Sequence, residues 1–248
     1  MNTINMAFLL TTLAGLSTMI GTIPIFIKLK NESKIIAGSL AFAAGVMICV
    51  SVIDLVPEAI SMLENNYNGI ITVLLTFSFI MIGMIISSLI DNKLLNGTKG
   101  DSLYKVGIIS MLAIILHNIP EGIATFISTT KDTSLGISLS LAIAMHNIPE
   151  GISISVPIYY STKSKIKALW YTFVSGLSEP LGAILTYLFL LPLVNDILLG
   201  LLFAVIAGIM LHISFTELLP TSSSYNENRT TKLFFIIGTI FMLLKVFV

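Results

Sequence analysis

Eight apolar stretches, at about 5–27, 35–60, 69–90, 104–127, 134–157, 167–190, 197–219 and 232–248, fill most of the 248-residue chain. Each is long enough to cross a bilayer as a helix, which takes roughly 20 mostly apolar residues. In hydrocarbon the backbone must satisfy its own polar groups, so separate stretches of this length dictate helices. The connections are short and leave no room for a soluble domain. Only 10% of residues are charged, against about a quarter in soluble domains. The expected fold is therefore an all-α polytopic membrane protein with one transmembrane domain over 1–248. Acidic and basic residues balance to zero net charge, and nothing marks a nucleic acid as a partner. The single cysteine, Cys49, lies mid-helix and has no internal disulfide partner. No basic residue precedes the first stretch and no small-residue cleavage site stands out, so it reads as a retained span, not a signal peptide.

Basic residues remain on the cytoplasmic side of a membrane. Alternate loops carry Lys28, Lys30 and Lys34; Lys93, Lys99 and Lys105; Lys163, Lys165 and Lys167; and Arg229 and Lys232. The other side has only Lys131 and Lys245. This bias predicts a multi-pass protein of the plasma, or inner, membrane with both termini extracytoplasmic. Tyr159, Tyr160, Trp170 and Tyr171 flank the basic 5–6 loop, where amphipathic rings suit the headgroup layer.

The stretches also repeat. Gly15-Leu16-Ser17-Thr18-Met19-Ile20-Gly21 matches Gly176-Leu177-Ser178-Glu179-Pro180-Leu181-Gly182. Gly45, Met47, Ser51, Asp54, Leu55 and Pro57 match Gly208, Met210, Ser214, Glu217, Leu218 and Pro220. Spans 1–3 (about 5–90) and 6–8 (about 167–248) thus read as copies, and an odd number of spans makes them inverted. Spans 4 and 5 (about 104–157) form an inverted pair of their own, each containing His-Asn-Ile-Pro-Glu-Gly, at 117–122 and 146–151. Inverted repeats around a polar midplane site mark secondary transporters.

At about 3.6 residues per helical turn, His117, Asn118 and Glu121 share one face, as do His146, Asn147 and Glu150. On antiparallel helices the two glutamates come to similar depth. Pro120 and Pro149 each disturb the bond to the carbonyl four residues back, at Leu116 and Met145. Such a carbonyl is tolerable at membrane depth only where protein, water or a ligand meets it. Gly122 and Gly151 permit close helix approach, and span 6 adds Glu179. Ionised groups at the bilayer centre cost about 2.5–3.5 kcal/mol each on insertion scales. No lysine or arginine lies mid-span to neutralise three carboxylates, whereas a divalent cation would. Mixed imidazole and carboxylate donors suit Zn²⁺ and its first-row neighbours better than Ca²⁺ or Mg²⁺.

Other polar residues are equivocal. His212 stands opposite Cys49 in the repeat and reads equally as interhelical glue or as ligand. Asp54 and Glu58 are placed at an outer vestibule and Glu217 at the cytoplasmic mouth, to relay cations or merely to sit in wet interfaces. Met19, Met47 and Met210 read as packing. Small-xxx-small patterns such as Gly83…Ser87 could pack helices within one chain or between copies in a homodimer.

These motifs resemble the ZIP (Zrt/Irt-like) family of divalent metal transporters, and in carrying HNxPEG twice its bacterial broad-specificity ZupT-like branch. The resemblance covers essentially the whole chain. It implies the 3+2+3 inverted-repeat fold and import of Zn²⁺, with Fe²⁺, Mn²⁺, Co²⁺ or Cd²⁺ as further substrates, by alternating access. The metal is substrate, and no resident cofactor is implied. By motif position the first metal takes His117, Glu121, His146 and Glu150. The second takes Asn118, Asn147 and Glu179, with Glu121 and Glu150 bridging. Glu217, before Leu-Leu-Pro, resembles the family's acidic residue near the cytoplasmic exit. Asn147 stands where many relatives carry a carboxylate, Thr216 stands where some carry another ligand, and the 3–4 loop lacks a histidine cluster. Two rival readings use the same residues. An intramembrane zinc-dependent hydrolase would activate a metal-bound water with a glutamate base, although HExxH is absent. A proton channel would use the carboxylates without depending on metal.

Overall fold

The computed structural model describes residues 2–27, 31–97, 102–190 and 195–244, with backbone alone for 92–97, 102 and 190. Lys28, Lys30, Lys99 and Lys245, which enter the orientation argument, lie outside the described residues, and of Lys93 only the backbone is described.

The eight apolar stretches fold as eight helical rods. α1 is Thr3–Ser17, continued by a 3₁₀ segment, Thr18–Phe26. α2 runs Glu32–Val50, through a π-helical turn at Ser51–Leu55, into Val56–Glu64. α3 is Gly69–Gly97, α4 Ser102–Lys131 and α5 Thr133–Thr162. α6 comprises Lys165–Gly176, Ser178–Leu185 and a π turn, Thr186–Leu190. α7 comprises Asp196–Ile213, a π turn at Ser214–Leu218 and Leu219–Ser224. α8 is Asn228–Leu244. There is no strand among the described residues.

Several rods overrun their apolar stretch. α4 and α5 have 30 residues each, about 45 Å at 1.5 Å per residue, which exceeds the ~30 Å hydrocarbon layer. Among the described residues, five segments are long and apolar enough to cross a membrane: Thr3–Phe26, Glu32–Glu64, Gly69–Asp91, Leu103–Lys131 and Asp196–Ser224. α5 is diluted by its serines and hexapeptide, α6 is interrupted at Leu177, and α8 has 17 residues.

Local chemistry sets the ends. Asp132 alone connects α4 to α5, and its carboxylate accepts from the N–H groups of Ser134 and Leu135. Capping by one acidic residue gives a tight antiparallel hairpin. Asn31, Ser164 and Asn195 cap α2, α6 and α7 in the same way. The π turns in α2 and α7 each lie just before a proline, Pro57 or Pro220. A proline ring collides with the carbonyl four residues back, and a wider turn accommodates it. In each, an amide five residues on reaches the first carbonyl: Val56 to Ser51, and Leu219 to Ser214. α4 and α5, by contrast, continue as α-helix through Pro120 and Pro149.

α1, α4, α5 and α6 pack as one group, while α8 lies along α2 and α3 along α7. α2 then crosses α5, and α7 crosses α4. Glycines mark the close crossings. A methyl on Gly45 would strike the Phe235 carbonyl, and one on Gly208 the Ile80 carbonyl. Gly83 sits against the Val205 carbonyl of the same chain, so its small-residue pattern packs α3 on α7 rather than on a second copy. Met47 and Met210 are buried in the apolar core. At the end opposite the α4–α5 hairpin, Lys163 pairs with Glu32 at 2.8 Å and the Lys165 ammonium lies over the Phe26 ring.

Candidate metal site

The identical hexapeptides put identical faces on antiparallel neighbours, and those faces meet. His117, Asn118 and Glu121 of α4, His146, Asn147 and Glu150 of α5, and Glu179 of α6 are each at most 4% exposed. Close backbone approach makes this possible. A side chain on Gly122 would strike the Glu179 carbonyl, and one on Gly151 the Thr18 carbonyl. Gly182 faces the Ile119 carbonyl as Gly21 faces that of Ile148, and Gly15 and Gly176 face each other's carbonyls. Three pairs of contacts thus relate α1 with α5 to α6 with α4.

Glu121 Oε1 lies 2.8 Å from His146 Nε2 and 3.1 Å from His117 Nε2. His117 Nε2 is also 3.2 Å from Glu150 Oε1, and the two imidazole centroids are 6.1 Å apart. The ligand atoms of His117, Glu121 and His146 all lie within 4.8 Å of one another, a spacing that one metal ion can bridge. Asn147 Nδ2 donates to the Ala14 carbonyl at 2.9 Å and to Glu179 Oε2 at 3.0 Å. It thereby ties the Glu179 carboxylate to the cluster.

Burial normally obliges a polar atom to find a partner. Here His117 Nδ1, His146 Nδ1, Glu121 Oε2, Glu150 Oε2, Glu179 Oε1, Asn147 Oδ1 and both side-chain polar atoms of Asn118 have no hydrogen-bond partner among the described residues. No lysine or arginine is among the buried residues described. Three carboxylates, two imidazoles and two amides therefore form an acceptor-rich, electron-donating chamber whose charge calls for a cation. The donors are nitrogen and oxygen only, and Cys49 belongs to the apolar core.

A cleft of about 540 Å³ leads to this chamber between α2, α4, α5 and α7. Glu121 and His146 line it, together with Asp54, Glu58, Lys131 and Asp196. Asp54 and Glu58 thus open toward the paired motifs. Asp196 drew no attention in the sequence because it begins α7 and reads as an ordinary acidic first-turn residue. Toward the other end of the bundle, Glu217 lies within hydrogen-bonding reach of Asp91 and near Lys105, and Asp91 also faces His212. Asp91 was not singled out from the sequence either, since it lies in the polar tail of a long apolar helix.

The profile of the ZIP zinc transporter family matches residues 95–245, more than half the chain. The zinc transporter ZupT of Streptococcus mutans is 45% identical over 235 residues, covering 90% of this chain and 89% of the relative. The chain belongs to the ZIP zinc transporter family. ZupT of Clostridium perfringens is 42% identical over 271 residues (98% of this chain, 95% of the relative), and ZupT of Campylobacter jejuni 39% over 275 residues (96% and 94%). The resemblance read from the hexapeptides is thus a family membership, and this ZIP chain spans nearly the full length of those relatives.

Proposed function

We propose that this chain carries Zn²⁺ across the membrane as a transporter, binding it between α4 and α5 at His117, Glu121, His146 and Glu150. The observation that carries the reading is the buried two-histidine, two-glutamate cluster with unpartnered acceptor atoms, at the inner end of a cleft. A second ion uses Asn118, Asn147 and Glu179, with Glu121 and Glu150 bridging. Nitrogen and oxygen donors without thiolate hold Zn²⁺ labile enough to leave, as a transported ion must. Fe²⁺, Mn²⁺, Co²⁺ and Cd²⁺ satisfy the same donor set and compete for it.

The protein works by alternating access, with α1, α4, α5 and α6 moving against α2, α3, α7 and α8. The paired glycine contacts support an inverted repeat of α1–α3 on α6–α8 around the α4–α5 pair, the architecture that such motion uses. The lysine bias supports an orientation with the cleft facing outward and Glu217 toward the cytoplasm, and the family resemblance supports the plasma membrane and net movement inward. Membership of a transporter family, with no HExxH helix, removes the hydrolase reading. The test is Zn²⁺ uptake into proteoliposomes by wild type, Glu121→Ala and His146→Ala. Uptake by wild type that both variants abolish is expected. Wild-type uptake no faster than in protein-free vesicles would defeat the function, and unchanged uptake in both variants would defeat the site.

A further inference from the structure

The cleft that leads a cation to Glu121 and His146 also contains an ammonium group. Lys131, the last residue of α4, lines it together with the carboxylate residues Asp54, Glu58 and Asp196. It is exposed, and it is absent from every ion pair within 4.0 Å among the described residues. No other lysine and no arginine lines the cleft among the described residues. A lysine at a helix C-terminus ordinarily complements the helix dipole. That role does not require the side chain to project into the approach of a divalent cation.

We propose that Lys131 sets how readily divalent cations are captured: its positive charge offsets the acidic lining of the cleft and lowers the rate at which they reach the buried site at sub-saturating concentration. This rests on the transport reading above. Three carboxylates attract a hydrated divalent ion, and one ammonium lowers that attraction without touching the metal. Because the effect is coulombic, it depends on the charge of the ion and not on its ligand chemistry. All divalent metals are slowed by one common factor, and a monovalent cation by its square root.

For a divalent ion about 10 Å from the ammonium, Coulomb's law in water with Debye screening gives about a threefold effect at 10 mM ionic strength and about 1.5-fold at 0.15 M. The experiment compares initial Zn²⁺ and Cd²⁺ uptake into proteoliposomes by wild type, Lys131→Met and Lys131→Arg at those two ionic strengths. The methionine variant is expected to lower KM about threefold at 10 mM for both metals, with kcat unchanged and the gain mostly lost at 0.15 M. The arginine variant is expected to match wild type. A salt-independent change, or a change shared by Met and Arg, would reduce Lys131 to a helix-terminal residue and overturn the proposal. So would an unchanged KM in the methionine variant. Absence of uptake by wild type would instead refute the transport reading itself.

Discussion

Asn147 offers a sharp test of how the buried cluster is held. Its amide donates to both Glu179 Oε2, at 3.0 Å, and the Ala14 carbonyl, at 2.9 Å, and it is fully buried. Asn147→Asp keeps the shape, removes both donors and puts a second carboxylate where the amide nitrogen stood. At an effective dielectric of about 20, two unit charges 3 Å apart repel by about 5 kcal/mol. Protonating one of them at pH 7 instead costs about 4 kcal/mol, three units at 1.36 kcal/mol each. The lost bond to Ala14 adds about 1 kcal/mol. The metal-free variant is therefore expected to be less stable by about 3–5 kcal/mol, a melting point lower by several degrees. Saturating Zn²⁺ should recover most of this, since a divalent ion between two carboxylates turns repulsion into ligation. The only cysteine is buried, so a thiol-reactive dye reads unfolding directly through Cys49. Asn147→Leu, which strands Glu179 without supplying a ligand, should be destabilised and not rescued. A metal-free Asn147→Asp protein that melts with wild type, or one that Zn²⁺ fails to bring back toward it, would refute the reasoning.

Gly122→Ala drives a methyl into the Glu179 carbonyl and Gly151→Ala into that of Thr18. Both should lose about 1–3 kcal/mol of stability through overpacking, but only Gly122→Ala strikes the backbone of a proposed ligand on a second helix, so Zn²⁺ uptake per folded molecule should fall further in it. Equal uptake in the two variants would count against Glu179. Asp91 faces the carboxyl group of Glu217. Asp91→Asn replaces two facing acceptors with a donor and an acceptor, and should raise the thermal stability by about 0.5–1.5 kcal/mol. A lower melting temperature would show that Asp91 is held by another partner.

Eight helical rods were legible because hydrocarbon permits few alternatives, and the meeting of the two hexapeptides was legible because identical faces on antiparallel neighbours coincide by symmetry. Gly122 and Gly151 announced close approach, but the partners they meet, the carbonyls of Glu179 and Thr18, come from helices far away in sequence. The prolines are instructive. Pro57 and Pro220 lie after π turns, whereas Pro120 and Pro149 sit in uninterrupted α-helix, a difference set by packing rather than by proline itself. Asn147 was readable as a polar partner in the cluster, but not as the donor joining Glu179 to Ala14, because side-chain direction depends on neighbours from α1 and α6. Lys131 and Asp196 look like ordinary helix-end charges, and only the cleft shared by α2, α4, α5 and α7 brings them into view.

The central claim is that two imidazoles and carboxylate oxygens from α4 and α5 hold the metal. X-ray absorption at the zinc edge, on purified protein loaded with one equivalent of Zn²⁺, reads that shell directly. The account predicts nitrogen and oxygen scatterers at about 2.0–2.2 Å, with the outer-shell signature of two imidazoles, one of which disappears in His146→Ala. A sulfur scatterer at about 2.3 Å, which only Cys49 or a methionine could supply, or a spectrum unchanged by His146→Ala, would contradict it.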